Sequence, residues 1–514
     1  MLVDYYRSKQ LIDTVSSPLS LCVLPSDDAF IVHDSILQKL QYYKPVPKLS
    51  GSFYHTGLIP LSITQKYNSH HPYGWNSGSM MAASGYQVQV TTGFFIKAGI
   101  LQLQLQPEWV YAANPRFTHN NAWGSDDKKG SYQKLFPGQS DISLNLGAVS
   151  LSVSTRNLWW GPGIYNSLMM SNNAPGFLHA SFHSNKPLKT PIGSFEWQLI
   201  AGKLVEDTNV MLENKNLSTA YYNPQTYDGG GTGAYDPAKK WRYLSAVTLT
   251  YNPKWISGLF VGITRVGYAY NDNVQKGGTD ILHDYFPVLF GVFRQNYAYG
   301  NDTASSEKRY KQMFSLHAKY IFIKSHLELH AEYGWDDNSY NVRDLLLDIP
   351  HAAAFTLGLK KMWQLTNKNW LDVQAEVTQL AQTNDYLVRN SGYWYLYQGG
   401  YTNQSRIIGA GIGPGNNVQT LAVSLWRKGL NKMGFKILKL QHDPSQNDAS
   451  APLITLGLRP ANWTDAAFGF TGNQLYKRFM LSGEMQLVTS RNYCWQAGIN
   501  RVNFYGNVTL SYLW

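Results

Sequence analysis

Glu332, Asp336 and Asp337 are the carboxylates in this chain whose spacing suits acid–base work. Two such groups flanking a glycosidic bond can act as acid and base. Here the strand is leaving its sheet, and the favoured reading is a solvated pair at a rim. The sequence holds no G-x-S-x-G, no H-E-x-x-H and no Walker sequence. Gly229 to Gly233 is glycine-rich, but no Lys-Ser/Thr follows it, so it cannot be read as a phosphate cradle. His70 and His71, with His55, lie in a polar stretch without Cys or carboxylate at ligand spacing. Asp443 to Asp448 is a polar loop and no EF-hand. The expectation is a protein without catalysis, cofactor or metal.

A second chemistry is written in aromatics and amides. Residues 156–175 read RNLWWGPGIYNSLMMSNNAP. Indole and phenol rings stack on the apolar faces of sugars, amides bond hydroxyls, and guanidinium groups meet uronates. Candidate glycan contacts here are Arg156, Trp159, Trp160, Tyr165, Asn172 and Asn173. A later set is Arg389, Tyr393, Trp394, Tyr395, Tyr397, Tyr401 and Arg406. The plainer reading of the first segment is a loop packed by its own aromatics.

The elements that position these residues are strands. Residues 142–154 alternate, and Gly161, Pro162 and Gly163 end the pattern. Proline cannot donate to a ladder, and glycine tolerates backbone conformations other residues resist. Leu101, Leu103 and Leu105 share one face of a strand, and Gln102, Gln104 and Gln106 the other. Similar hairpins recur: 195–204, 243–251 into 259–268, 314–322 into 326–333, and 355–363 into 370–377. Short turns alternate with long polar inserts such as 207–240 and 271–311. Charged residues make up only 15%, against about a quarter in a soluble domain, and aromatics reach 14%. Mean hydropathy is -0.30 and no stretch of 18 apolar residues occurs, which excludes a helical membrane protein.

These observations predict an all-β chain: a transmembrane antiparallel β-barrel of about 18 strands, with short periplasmic turns and long extracellular loops. Glu376 and Glu484 are expected to face the lumen, because charge on the lipid face costs about 2–4 kcal/mol near the midplane. Val508, Leu510, Tyr512 and Trp514 share one face of a last strand that ends on an aromatic. No internal repeat of propeller type is evident. Residues 51–514 are assigned to the barrel. Residues 1–50 form a separate, partly helical subdomain, with Asp4 as a candidate helix cap and breaks at Pro45 and Pro47.

The N-terminus carries no apolar h-region, so an exported chain is expected to be the processed form or a trimmed one. Cys22 and Cys494 either pair, tethering the N-terminal subdomain to the last strands, or stay apart, the favoured alternative. Lys+Arg total 44 against Asp+Glu 33, a net charge of +11. No basic run or nucleic-acid motif is present, so nucleic acid is not an expected partner. Acidic polysaccharide or lipopolysaccharide phosphate suits the compartment, and scattered solvated charges are the plain alternative.

The motif at 156–175 resembles that of the Wzi family of outer-membrane capsule-assembly proteins. Three other places agree in order: YGWNSG at 73–78 followed by GYQVQ at 85–89, AEYGWDD at 331–337 followed by Pro350 and His351, and GYTNQSRIIGAGIGPG at 400–415. They are similar to segments of the family's Bacteroidota-type members. The resemblance implies an 18-stranded outer-membrane barrel whose periplasmic mouth is blocked by an N-terminal helical plug, here residues 1–50. It also implies a lectin-like, non-catalytic role, holding capsular or other surface polysaccharide at the cell surface. Outer-membrane lipid, lipopolysaccharide and other outer-membrane proteins are further expected partners. The alternatives are a scaffold or accessory subunit of a larger outer-membrane assembly, and a plugged channel for a solute or oligosaccharide.

Overall fold

The structure is a computed structural model and describes residues 54–113, 131–207, 241–271, 285–290, 310–336, 342–366, 369–381, 394–395, 400–427, 431–442 and 461–514, with residues 274 and 282. The expected N-terminal plug, Cys22, Asp337, Arg389, Tyr393 and Tyr397 lie outside the described residues.

Alternating apolar and polar residues suit a stave with lipid on one face and a packed lumen on the other. Eighteen staves form. They are β1 (Tyr54–Asn68), β2 (Gly85–Ala98), β3 (Leu101–Leu105 and Glu108–Ala112), β4 (Tyr132–Phe136 and Asp141–Leu146), β5 (Val149–Ser154), β6 (Leu178–Ser184 and Leu188–Thr190), β7 (Gly193–Leu204), β8 (Arg242–Pro253) and β9 (Leu259–Tyr270). The second half comprises β10 (Lys311–Phe322), β11 (Leu327–Trp335), β12 (Ala353–Thr366), β13 (Asn369–Gln379), β14 (Asn417–Trp426), β15 (Lys432–Gln441), β16 (Thr464–Tyr476), β17 (Phe479–Arg491) and β18 (Arg501–Tyr512). Each pairs antiparallel with its neighbours, and β1 closes on β18 with Ile63 opposite Leu510. Closure leaves no open edge, which a bilayer requires. Among the described residues no helix is long and apolar enough to cross a membrane.

The faces sort as the alternation predicts. Along β14, Val418, Thr420, Ala422 and Ser424 are buried, while Leu421 and Val423 are exposed outward. Phe435, Ile437, Phe468 and Leu487 continue the apolar exterior on the next staves. Trp514 donates its indole N–H to the Ile59 carbonyl at 2.9 Å, which fastens the chain's end to β1.

Prolines interrupt the ladder. The expected continuous strand 100–111 is split at Pro107, opposite a second break at Pro137 and Gly138 in β4. Gly138 has φ 63°, and a Cβ there would come within 2.3 Å of the Gln106 carbonyl oxygen. In β1 the register shifts between Ile59 and Ser62, around Pro60.

Eight short connections lie at one end of the barrel and nine long ones at the other. Segments from three of the long connections turn inward: 69–84, 155–177 and, in the third, 394–395 and 400–416. Their apolar residues join the main core cluster, which includes Tyr73, Leu158, Trp160, Met169, Tyr395 and Ile408. The core of this barrel is therefore built by its own loops.

Candidate functional site

The segment 155–177 crosses the lumen and is fixed by the wall at several points. Trp159 and Trp160 are followed by two glycines in tight quarters. Gly161 has φ 134°, and a Cβ there would sit 2.8 Å from Glu332 Oε2. At Gly163 it would sit 1.9 Å from the Asn166 carbonyl oxygen. Only glycine lets the backbone come this close to the wall and to itself.

Glu376, on β13, receives three successive amides: Ile164 N–H at 2.5 Å, Tyr165 N–H at 3.0 Å and Asn166 N–H at 2.8 Å. His330 Nε2 lies 3.2 Å from the same carboxylate. Glu332, on β11, accepts from Leu168 N–H and Ser315 Oγ, each at 3.0 Å. A carboxylate facing converging amides satisfies donors that have no ladder partner. Two wall carboxylates thus hold the turn that the WWGPG sequence creates.

The other inward segments lock onto this turn. Ser171 N–H donates to the Ile408 carbonyl at 2.7 Å, and Tyr395 OH to the Leu168 carbonyl at 2.7 Å. Gly78 N–H donates to the Asn172 carbonyl at 2.6 Å, and Asn76 Nδ2 to the Tyr165 carbonyl at 2.6 Å. Arg242 is buried on β8, where it pairs with Glu206 and donates to the Gly400 and Thr402 carbonyls. Glu206 in turn accepts from Ser405 N–H at 2.7 Å.

The expected glycan contacts divide into two groups. Trp159, Trp160, Trp394, Tyr395 and Tyr401 are buried. Trp160 donates its indole N–H to Gln198 Oε1 at 2.9 Å, and Trp394 to the Ala352 carbonyl at 2.9 Å. Rings enclosed on both faces have no surface to offer a sugar, so these aromatics hold the fold. Asn173 and Arg406 are also buried: Asn173 Nδ2 donates to the Ile407 carbonyl at 3.0 Å, and Arg406 Nη1 to the Gly78 carbonyl at 2.7 Å. Arg156 stays partly exposed and donates to Gln104 Oε1 at 2.7 Å, with Asp141 at 3.8 Å. Tyr165 and Asn172 are half-buried.

The expected solvated rim pair is corrected. Glu332 and Asp336 are 1% and 2% exposed, and Asp336 Oδ2 accepts from Tyr395 N–H at 2.9 Å. The loops fold back over the end of β11, so its carboxylates meet backbone donors instead of water. Glu376 and Glu484 do face the lumen, Glu484 paired with Lys436 at 2.5 Å.

Around Tyr165 a set of groups converges that sequence reasoning had only partly singled out. Its OH donates to Gln374 Oε1 at 2.9 Å, and Lys436 Nζ lies 5.8 Å from its ring centre. Burial raises the Tyr165 phenol above its ordinary range, with the Glu376 carboxylate adding to the effect. It is therefore a neutral donor at any physiological pH. Half-buried Trp75 and Asn76 lie on the adjoining segment. Asn166 is 1% exposed, and neither of its amide atoms has a partner. Asn76 Oδ1 and Asn172 Oδ1 are likewise buried and unmatched. Buried amides are usually satisfied by protein or ordered water, and these find no partner within the protein itself. Trp75 and Asn76 lay in the resembling YGWNSG stretch, where the signal was an indole followed by an amide.

A family model described as capsule assembly protein Wzi matches residues 64–503. Among solved structures, the fold is similar to Wzi of Escherichia coli, described as an outer-membrane protein involved in group 1 capsule assembly and a carbohydrate-binding β-barrel. The TM-score is 0.55 at 12% identity, covering 88% of this chain and 84% of that one. Pseudomonas aeruginosa OccK5 aligns with a TM-score of 0.39 at 10% identity, over 89% of this chain and 97% of that one. No curated protein matches the sequence. This outer-membrane β-barrel belongs to the capsule assembly protein Wzi family.

Proposed function

We propose that the barrel holds surface polysaccharide, capsular in kind, at the floor its inward loops build, without cleaving it. The observation that carries this reading is the cluster at Tyr165: half-buried rings of Trp75 and Tyr165 beside the half-buried amides of Asn76 and Asn172, with Lys436 close by. Rings for sugar faces, amides for hydroxyls and a cation for a uronate make a lectin's chemistry. The carboxylates that glycoside cleavage would need are engaged with backbone amides. The carbohydrate binding described for the Escherichia coli structure supports the same reading.

The test compares cell-attached with shed capsule in strains with and without the protein, and measures binding of purified capsule to the detergent-solubilised barrel. Shedding in the deletion strain, with binding lost in Tyr165→Ala and Asn172→Ala variants that remain heat-modifiable, is the expected outcome. Unchanged capsule attachment and no binding by the wild-type barrel would refute the reading and turn attention to protein partners.

A further inference from the structure

The basic excess of this chain lies on its staves and its short connections, and not on its long ones. The eight short connections contain no Asp or Glu in the sequence. They and the break in β6 carry Lys186, Lys254, Lys324, Arg427, Lys477 and Arg478, all exposed. In the nine long connections, by contrast, Asp and Glu outnumber Lys and Arg. Antiparallel closure brings all the short connections to one rim. That rim is a cationic ring, and among the described residues none of these six makes an ion pair.

The same turns are also apolar at the surface. Trp255 is 68% exposed beside Lys254, Tyr476 is 64% exposed beside Lys477, Ile100 reaches 57% on another turn, and Leu365 reaches 56% at the end of β12. Lys477 Nζ lies 5.4 Å from the Tyr476 ring centre. A soluble polysaccharide could stack on the exposed indole, but it has no use for the exposed isoleucine and leucine. Cations alternating with aromatic and aliphatic side chains suit a lipid interface, where the apolar part enters the acyl region and the charged head reaches the phosphates.

We infer that the short-turn rim binds anionic phospholipid headgroups of the periplasmic leaflet, and that the cations of this rim are placed to recognise their phosphodiesters. Lipopolysaccharide and capsule lie at the opposite, long-loop end. The inference does not depend on the polysaccharide reading, since it concerns a different rim and a different ligand.

The experiment uses the full chain reconstituted in bilayer vesicles. Spin-labelled phosphatidylglycerol is compared with spin-labelled phosphatidylcholine for association with the barrel. At low salt the anionic lipid should be favoured by about fivefold or more, the worth of roughly one lysine near such a surface. The preference should fall towards unity at about 0.5 M salt, where the screening length is only a few ångströms. It should also fall in a variant combining K254Q, K324Q, R427Q, K477Q and R478Q, checked for folding by heat-modifiability. Equal association of both lipids with the wild type, or a preference that ignores salt, would overturn the inference even if the variant failed to fold. So would a folded variant that retains the preference. Polygalacturonate provides the remaining arm. If it binds the detergent-solubilised wild type and not the variant, while the vesicles show no lipid preference, the ring is a dock for a soluble polyanion and the lipid inference fails.

Discussion

Glu376 shows how one side chain can organise this lumen. Its carboxylate accepts from three consecutive amides and faces His330. Glu376→Gln keeps the size but replaces one acceptor oxygen with an NH2 group that confronts N–H donors. Losing charge-assisted bonds costs about 1.5–3 kcal/mol each, moderated by rearrangement. The expected result is a loss of about 2–4 kcal/mol in docking of the turn, read as faster hydrogen exchange at residues 164–168 while strand amides keep their protection. An unchanged exchange pattern would refute the clamp. His71 gives a pH prediction at the same scale. It lies on the inward segment 69–84, and burial lowers its pKa to about 4, against an opposing pull from Asp465. Its Nε2 is buried without a partner. A base with a depressed pKa is neutral when folded, while the unfolded chain takes up the proton near pH 6.5. Stability from this residue is thus fully present above pH 6.5 and lost as pH falls towards 4, by up to roughly 3 kcal/mol. Urea denaturation across that window should show the loss, and His71→Gln should flatten it.

At the scale of elements, the wall and the inward loops obey different rules. The wall follows from alternation, a local property of the chain. The sequence of β14 already assigns Thr420 and Ser424 to the lumen and Leu421 and Val423 to lipid, and short turns show where the chain reverses. The loops follow from contacts between residues far apart in sequence. The pattern WWGPG announces a turn, but nothing local says that Trp160 will meet Gln198 or that Glu332 will accept from Leu168. An aromatic in a polar loop reads equally as a sugar platform or as core. Here the inward fold makes Trp160, Trp394 and Tyr401 core, and leaves Tyr165 at the surface of that core. Glu332 was misplaced for the same reason: the end of β11 looks like a rim until the loops cover it. The distinction can be measured. Trp160→Ala should cost about 3–5 kcal/mol, as expected for a large buried aromatic, and should loosen segment 155–177. Tyr165→Ala should cost clearly less stability than that, and should reduce polysaccharide binding beyond that loss. If both variants lose binding only in proportion to stability, Tyr165 is structural too.

At the scale of the whole molecule, the barrel's lumen is occupied by parts drawn from within the barrel. Three inward segments share one apolar cluster, and the wall grips them through Glu332, Glu376 and Arg242. An open porin keeps a polar, water-filled interior, whereas here Leu168, Met169 and Met170 are fully buried in the lumen. The expected N-terminal plug is therefore not the only element able to block passage. This argues for a conductance experiment on three proteins in planar bilayers: the full chain, the chain without residues 1–50, and the full-length Glu332→Gln/Glu376→Gln double variant. If the inward loops carry the block, the truncated chain stays as poorly conducting as the full one, while the double variant shows larger or more frequent openings. Wall carboxylates can open a pore only by releasing the loops they hold, so this pattern assigns the block to the loops. The opposite pattern, high conductance on truncation and none in the double variant, would assign it to residues 1–50 and make the inward loops a binding floor alone.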